Sequence, residues 1–68
     1  MQGVVKRFNK TKGFGFITND EGKDFFFHFS ELDMEGFKTI GIGKRVEFED
    51  VETERGPQAH KIKKIEEN

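Results

Sequence analysis

The chain has 68 residues, nine of which are Phe, and it contains no Cys, Trp or Tyr. A domain of this size buries only about 60% of the surface of its unfolded chain, and without Cys it has neither disulfides nor a thiolate zinc site to support its core. It lacks the run of about 18 apolar residues that spans a membrane and the apolar core of a signal peptide. We therefore expect a single cytoplasmic domain over residues 1–68, frayed at residues 66–68.

The charges are unevenly distributed, although the net charge is only −1. Residues 1–19 carry four bases and no acid, residues 20–54 carry four bases and 11 acids, and residues 55–68 carry four bases and two acids. The segments therefore contribute +4, −7 and +2. The net charge by itself indicates no partner, but the chain is polarised and its basic first segment contains its most unusual motif.

Gly and Asx residues separate short runs that are rich in aromatic and β-branched residues, a spacing typical of a small all-β barrel or sandwich. We predict five strands, over residues 4–9, 15–19, 24–29, 45–52 and 58–65. In the fourth strand the alternation of Val46 and Phe48 is broken at Asp50 and resumes on the other face at Val51, which predicts a β-bulge near these residues. Ser30, followed by Asp33 three positions later, is a plausible cap for a single helical turn, and residues 35–44 form a longer loop.

The strongest motif is Lys-Gly-Phe-Gly-Phe-Ile at residues 12–17. Phe14 and Phe16 are two residues apart and so share one face of a strand, while Ile17 points to the other face. We interpret the two glycines as leaving the rings accessible to a flat ligand. With Lys12 beside them, the rings would form a platform on which bases stack. The alternative is that both rings lie in the core of a Gly-flanked hairpin.

The second aromatic run, residues 25–29, predicts a half-buried strand. If Phe25 and Phe27 face the core, alternation places Phe26 and His28 outside with the first two rings. Phe29, at the strand end, joins them if the strand bends there. The alternative is that the whole run is buried.

Three other functional classes fit less well. His28, Ser30 and Glu31 contain the side chains of a hydrolase, but such sites are made by geometry and not by adjacency, so we expect no enzyme and no small-molecule substrate. His28 and His60 are the only imidazoles, so we expect no metal and no cofactor. A protein-interaction barrel that uses exposed Phe is the remaining alternative. Binding of nucleic acid should weaken steeply with salt, which would separate the two.

Segments outside the two aromatic runs extend the pattern over nearly the whole chain. They are Phe8-Asn9, His28-Phe29-Ser30, Glu35-Gly36-Phe37-Lys38-Thr39 and Arg55-Gly56-Pro57-Gln58-Ala59. Together with residues 12–17 and Phe26, they make the sequence resemble a bacterial cold shock protein, the stand-alone form of the cold shock domain. The resemblance implies a five-stranded antiparallel OB-fold barrel. It also implies binding of single-stranded RNA and DNA with little sequence preference, as an RNA chaperone and a regulator of transcription or translation in cold stress. We take a monomer as the default expectation.

The resemblance also implies a set of ligand-binding residues. They are Lys6, Phe8, Lys12, Phe14, Phe16, Phe26, His28, Phe29, Phe37 and Arg55, with Lys38 as a further backbone contact. Arg7 stands where the family usually has a stacking Trp. A guanidinium can stack on a base and also contact phosphate, so we include Arg7 in the site and expect it to replace part of the stacking with charge.

Other departures from the family pattern affect the core and the acidic residues. Phe25 and Phe27 replace β-branched residues, and overpacking costs about 1–3 kcal/mol. Asp50 replaces an apolar residue and His60 a small one, both expected away from the ligand. Under the nucleic-acid interpretation, the acids should lie away from the Phe face. They are Asp20, Glu21, Asp24 and the acids of residues 47–54.

Overall fold

The computed structural model describes residues 1–32 and 41–65, in which five strands close into a barrel. The strands are β1 (Gln2–Asn9), β2 (Phe14–Asn19), β3 (Asp24–His28), β4 (Arg45–Thr53) and β5 (Gly56–Lys64), and a 3-10 turn (Phe29–Glu31) follows β3. Their order around the barrel is β1-β2-β3-β5-β4, and β4 pairs back onto β1. Neighbouring strands are antiparallel except β3 and β5, which meet in parallel at Phe26 and Gln58. The predicted all-β, five-stranded barrel is confirmed.

The barrel interior is filled by two Phe rings from β3 and by aliphatic side chains. Phe25 and Phe27 are each 1% exposed, so alternation along β3 turns Phe26 and His28 outward, as predicted. Gly15 provides room for Phe27, because its absent side chain would point at that ring. The buried core consists of Val5, Ile17, Phe25, Phe27, Val46, Phe48, Ala59 and Ile62.

A β-bulge in β1 changes which residues of that strand face outward. Val5 lies opposite Ile17 and Arg7 lies opposite Phe16, which leaves Lys6 as an extra residue without a partner in β2. Val5 is buried, whereas Lys6 and Arg7 are both exposed. Without the extra residue, simple alternation would point Arg7 into the barrel with Val5.

The bulge predicted near Asp50 occurs in the β4–β5 pairing, but slightly earlier along β4 and on the neighbouring strand β5. Pairing of β4 with β5 is regular from Glu49 to Thr53, and the register shifts between Glu47 and Glu49. The extra residue belongs to β5, where Lys61 has a φ of 50°. The residue pattern of β4 could not show which strand carries the extra residue, because a bulge on β5 leaves the alternation of β4 unchanged.

The predicted cap of the helical turn is also corrected. The turn is a 3-10 helix over Phe29–Glu31, and its N-cap is His28 and not Ser30. The backbone N–H of Ser30 donates to Nδ1 of His28 at 3.2 Å. The imidazole nitrogen therefore takes the role that a Ser hydroxyl has in the sequence pattern. The predictions made for residues 33–40 and 66–68 lie outside the described residues.

We expect Gly15→Ala to destabilise the barrel. A methyl group on Gly15 would lie 2.8 Å from Cζ of Phe27 and even closer to the carbonyl oxygen of Arg7. Backbone and a buried ring cannot both move aside, so the free energy of unfolding should fall by about 1–3 kcal/mol. Urea unfolding followed by circular dichroism measures this change.

Gly41→Ala is the matched control, because its methyl group would come no closer than 3.5 Å, to Cγ of Lys44. Its effect should stay within about 0.5 kcal/mol. Equal unfolding midpoints for the two variants would contradict this explanation of Gly15.

Candidate nucleic-acid interface

Three half-buried rings form the centre of the outer face of β2 and β3. Phe14, Phe16 and Phe26 project outward from these strands, and we call the three together the Phe platform. Ring centroids are 5.7 Å apart for Phe14 and Phe26, 5.8 Å for Phe16 and Phe26, and 6.5 Å for Phe14 and Phe16. Because the rings support each other at these distances, they keep their orientation while part of each face remains open to solvent.

The bulge in β1 brings two cations to one edge of the Phe platform. Arg7 is the direct neighbour of Phe16 across the β1–β2 pair, and side chains opposite each other in this way lie about 5 Å apart at Cβ. Lys6 is exposed next to it and forms a 3.2 Å ion pair with Asp24. The sequence motif and the bulge thus put rings and positive charge on the same surface.

His28 and Phe29 extend the aromatic surface beyond Phe14. His28 lies opposite Phe14 in the β2–β3 pair, and its ring centroid is 4.7 Å from that of Phe29. Phe29 is 41% exposed because it leaves the strand and begins the 3-10 turn. Because Nδ1 of His28 accepts the N–H of Ser30, the orientation of the imidazole is restrained.

Two further cations lie beyond opposite ends of the Phe platform. Lys12 belongs to the β1–β2 turn, next to Phe14, and its N–H is held by Oδ1 of Asn9 at 3.0 Å. Arg55 belongs to the β4–β5 turn. Since β3 and β5 run in parallel with Phe26 level with Gln58, Arg55 lies toward the start of β3. Both side chains are exposed.

Phe8 is not brought together with the Phe platform. It lies opposite Gly15, faces inward after the bulge, and stacks on buried Phe27 at 5.8 Å with an angle of 5° between the rings. Its ring is half-buried and packs against the core. Phe37 and Lys38 lie outside the described residues.

The role expected for the two glycines is corrected. A side chain on Gly15 would point into the barrel at Phe27, and one on Gly13 would meet Cδ1 of Phe29 at 2.6 Å. Gly13 also needs its positive φ of 72° for the turn. The glycines therefore make room for buried or neighbouring rings and do not leave space for a ligand above the Phe platform.

Asp24 is the acid that departs from the expected charge arrangement. It lies on the same face as Phe26, two residues away, because alternation in β3 requires it. Oγ1 of Thr18 donates to Asp24 Oδ1 at 2.7 Å, and Nζ of Lys6 donates to Oδ2 at 3.2 Å. The hydrogen bond from Thr18 and then that from Lys6 hold the pKa of Asp24 below its ordinary value of 3.8.

The other acids follow the expectation more closely. β4 pairs with β1 and β5 but not with β2 or β3, so Glu47 and Glu49 are on the side of the barrel away from the Phe platform. Two other acids form ion pairs with cations. Asp20, in the β2–β3 turn, pairs with Arg45 at 3.4 Å, and Glu52 of β4 pairs with Lys23 of the same turn at 3.1 Å. Glu47 and Glu49 are thus separated from the aromatic face, and Asp20 and Glu52 are neutralised by neighbouring cations.

Three residues near the site were missed by the sequence analysis. Thr18 and Asp24 continue the outward alternation of β2 and β3, so the pattern that identified the rings would also have identified them. Gln58 lies beside Phe26 through the parallel β3–β5 contact. No local signal in the sequence indicates that contact, because it joins strands far apart in the chain.

The histidines have structural partners in the described part of the chain. Oγ of Ser30 lies 2.9 Å from Nδ1 of His28, within the cap described above. Glu31, two positions after Phe29, instead contacts Nδ1 of His60 at 3.6 Å. Residues 1–32 and 41–65 contain no group of three or more side chains arranged to hold a metal. In the same residues no helix is long and apolar enough to cross a membrane.

Comparisons with known proteins agree on one family. The sequence matches the "Cold-shock" DNA-binding domain over residues 1–65. It is 54% identical over 66 residues to a cold shock-like protein of Thermotoga maritima, covering 97% of this chain and 100% of the relative. It is 57% identical over 63 residues to the cold shock-like protein CspLB of Listeria monocytogenes, covering 93% and 96%. Among solved structures, drosophila Unr CSD456 superposes with a TM-score of 0.81 at 34% identity, over 98% of this chain and 27% of that chain.

We expect Thr18→Val to raise the pKa of Asp24 toward 3.8, because the hydrogen bond from Thr18 is the largest single cause of the lowered value. A lowered carboxyl pKa contributes stability above the pKa of the unfolded state, and that contribution is lost as the pH falls through the folded pKa. Replacing Thr18 should therefore reduce the loss of stability on acidification. An NMR titration of the Asp24 carboxyl carbon measures the pKa directly.

Thr11→Val is the control, since Thr11 is an exposed residue of the β1–β2 turn. An Asp24 pKa that is the same in Thr18→Val and in Thr11→Val would show that the Thr18 hydroxyl does not stabilise the carboxylate.

Proposed function

We propose that this chain, which belongs to the "Cold-shock" DNA-binding domain family, binds single strands of RNA or DNA by stacking unpaired bases on the Phe platform. The family makes it a nucleic-acid-binding domain. The observation that supports single strands is that flat rings occupy the centre of the outer face of β2 and β3, with cations around them. Bases in a duplex are stacked on each other, so their faces are not available to such a surface.

Stacking supplies most of the proposed affinity, and the cations hold the backbone. Each base stacked on an aromatic ring contributes about 1–3 kcal/mol, and the Phe platform continues to His28 and Phe29. Lys12 and Arg55, beyond the two ends, would contact phosphates. Every base has a π-face, so binding of this kind tolerates many sequences.

The proposed biological role follows from the same properties. A protein that holds unpaired bases shifts weak secondary structure toward the open form, as an RNA chaperone does. The net charge of −1 keeps the electrostatic attraction modest, so that the strand is released again. Relatives of this chain are named cold shock proteins, and we extend this to a monomer that acts on cytoplasmic transcripts, with effects on transcription or translation in the cold.

Phe16→Ala should weaken binding of a dye-labelled oligo-dT strand by about fivefold or more, since one stacking contact of about 1–3 kcal/mol is lost. Fluorescence anisotropy measures the affinity, with the label needed because the chain has no Trp or Tyr. The wild-type protein should bind a duplex of the same length much more weakly, and its single-strand affinity should fall as salt rises.

Ile42→Ala serves as the control for loss of an exposed apolar side chain, because Ile42 is 68% exposed and outside β2 and β3. Circular dichroism checks that both variants are folded. Failure of the wild-type protein to bind single strands at low salt would refute the proposal and favour a protein-interaction barrel. Equal losses for Phe16→Ala and Ile42→Ala would refute the stacking role of the Phe platform.

Arg7→Trp should bind oligo-dT more tightly than the wild type and with a shallower dependence on salt. The indole adds a stacking ring, while removal of the guanidinium gives up one charge near the backbone. For single strands each phosphate contact contributes about 0.7 to the slope of log affinity against log salt, so the slope should fall by about that amount. Titrations at four salt concentrations measure both effects, and an unchanged slope would contradict a contribution of the Arg7 charge.

A further inference from the structure

Arg7 is exposed beside Phe16, one of the rings of the Phe platform. The bulge at Lys6 turns Arg7 outward and sets it directly opposite Phe16. Neighbours of this kind are about 5 Å apart at Cβ, and an Arg side chain is long enough to pass the ring. The end of the Arg7 side chain can therefore reach the edge of a base that stacks on Phe16.

Arg7 is also available for a ligand. The nearest acid on this face, Asp24, already accepts hydrogen bonds from Lys6 and Thr18 through its two oxygens. Within residues 1–32 and 41–65 the Arg7 side chain has no ion pair or hydrogen bond. Lys6, in contrast, is engaged at 3.2 Å. Of these two neighbouring cations, Arg7 is the one with its donors unoccupied.

The shape of a guanidinium determines which base edges it can bind well. Its N–H groups form a planar fork that matches two adjacent acceptors. Guanine offers such a pair in O6 and N7, which is the commonest specific contact of Arg with DNA. An unpaired cytosine offers O2 and N3. Adenine, thymine and uracil have a donor next to each acceptor along these edges, so they satisfy only one arm of the fork.

We propose that Arg7 makes the base position on Phe16 selective for a base with two adjacent acceptors, guanine or cytosine, over adenine, thymine and uracil. This inference rests on the proposed function, because it requires a base to stack on Phe16. It gives one position of an otherwise tolerant surface a base preference. On oligo-dT, which lacks such an edge, the charge of Arg7 acts on the backbone instead.

The test scans single substitutions through a seven-nucleotide dT strand. Each position in turn carries dG, dC or dA, and affinities are measured by competition against labelled oligo-dT. We expect one position, or two adjacent ones, at which dG or dC binds about fivefold tighter than dT, as one bidentate contact provides. dA should give no such gain, and it controls for the larger stacking area of a purine. Replacing dG by 7-deaza-dG removes the N7 acceptor. Loss of the gain in affinity would show that guanine is bound through O6 and N7.

Two variants test whether the base preference depends on the planar guanidinium of Arg7. Arg7→Lys keeps the charge but lacks the fork, so its preference at that position should fall below twofold. Arg45→Lys is the matched control, because Arg45 is bound to Asp20 at 3.4 Å on the β4 side of the barrel, and it should keep the full preference.

The outcomes separate the inference from the proposed function. If oligo-dT binds but no position prefers dG or dC, or if Arg7→Lys keeps the preference, the inference is wrong while the proposed function stands. If dA gains as much as dG, the preference comes from stacking area and the inference is again wrong. If no single strand binds, the proposed function fails and the inference fails with it.

Discussion

The register between β2 and β3, in which Phe16 lies opposite Phe26, fixes both the core and the candidate interface. Alternation from that pair sends Phe25 and Phe27 inward, where each is 1% exposed. A slip of one residue in β3 would expose these two rings and bury Phe26. The core therefore protects the site, since the cost of exposing two buried rings opposes any other arrangement of the outer face. Gly15 is part of the same constraint, because only a residue without a side chain fits against Phe27 at that point.

Two bulges modify this simple alternation at positions where it matters. The one in β1 puts Lys6 and Arg7 side by side on the outside, and it turns Phe8 inward onto Phe27. The one in β5, at Lys61, returns Ile62 to the core after Ala59. Both occur beside exposed Lys side chains. Each bulge lets a strand keep its apolar contacts while changing which of its polar residues face the solvent, and in β1 this produces the positive edge of the Phe platform.

On the outer face of β2 and β3, the one acid described above is paired and a neighbouring cation is not, although the chain as a whole is close to neutral. Asp24 belongs to the same surface as the rings, but its carboxylate is bound by Thr18 and Lys6. That arrangement leaves the neighbouring Arg7 unpaired within the described residues. An acid on such a face does not need to repel a nucleic acid, because its charge can be neutralised by one cation. Here Asp24 binds Lys6, and Arg7 stays available for the ligand. The acids of β4 are separated from the rings by the closure of the barrel itself.

The sequence alone determined the features that depend on neighbours along the chain. Alternation within residues 14–17 and 25–28 was enough to group the rings by strand face, and turn residues located the five strands, because both effects act over a few residues. Which face is buried stayed open until the barrel showed Phe25 and Phe27 inside it. Alternation would equally have placed Asp24 with the rings, had it been applied to the acids. The inward position of Phe8, the outward position of Arg7, the cap at His28 and the approach of Gln58 to Phe26 were decided only by the tertiary structure. They depend on bulges and on contacts between strands that are distant in sequence. Such contacts form only when the strands pack together, so no local pattern in the sequence predicts them.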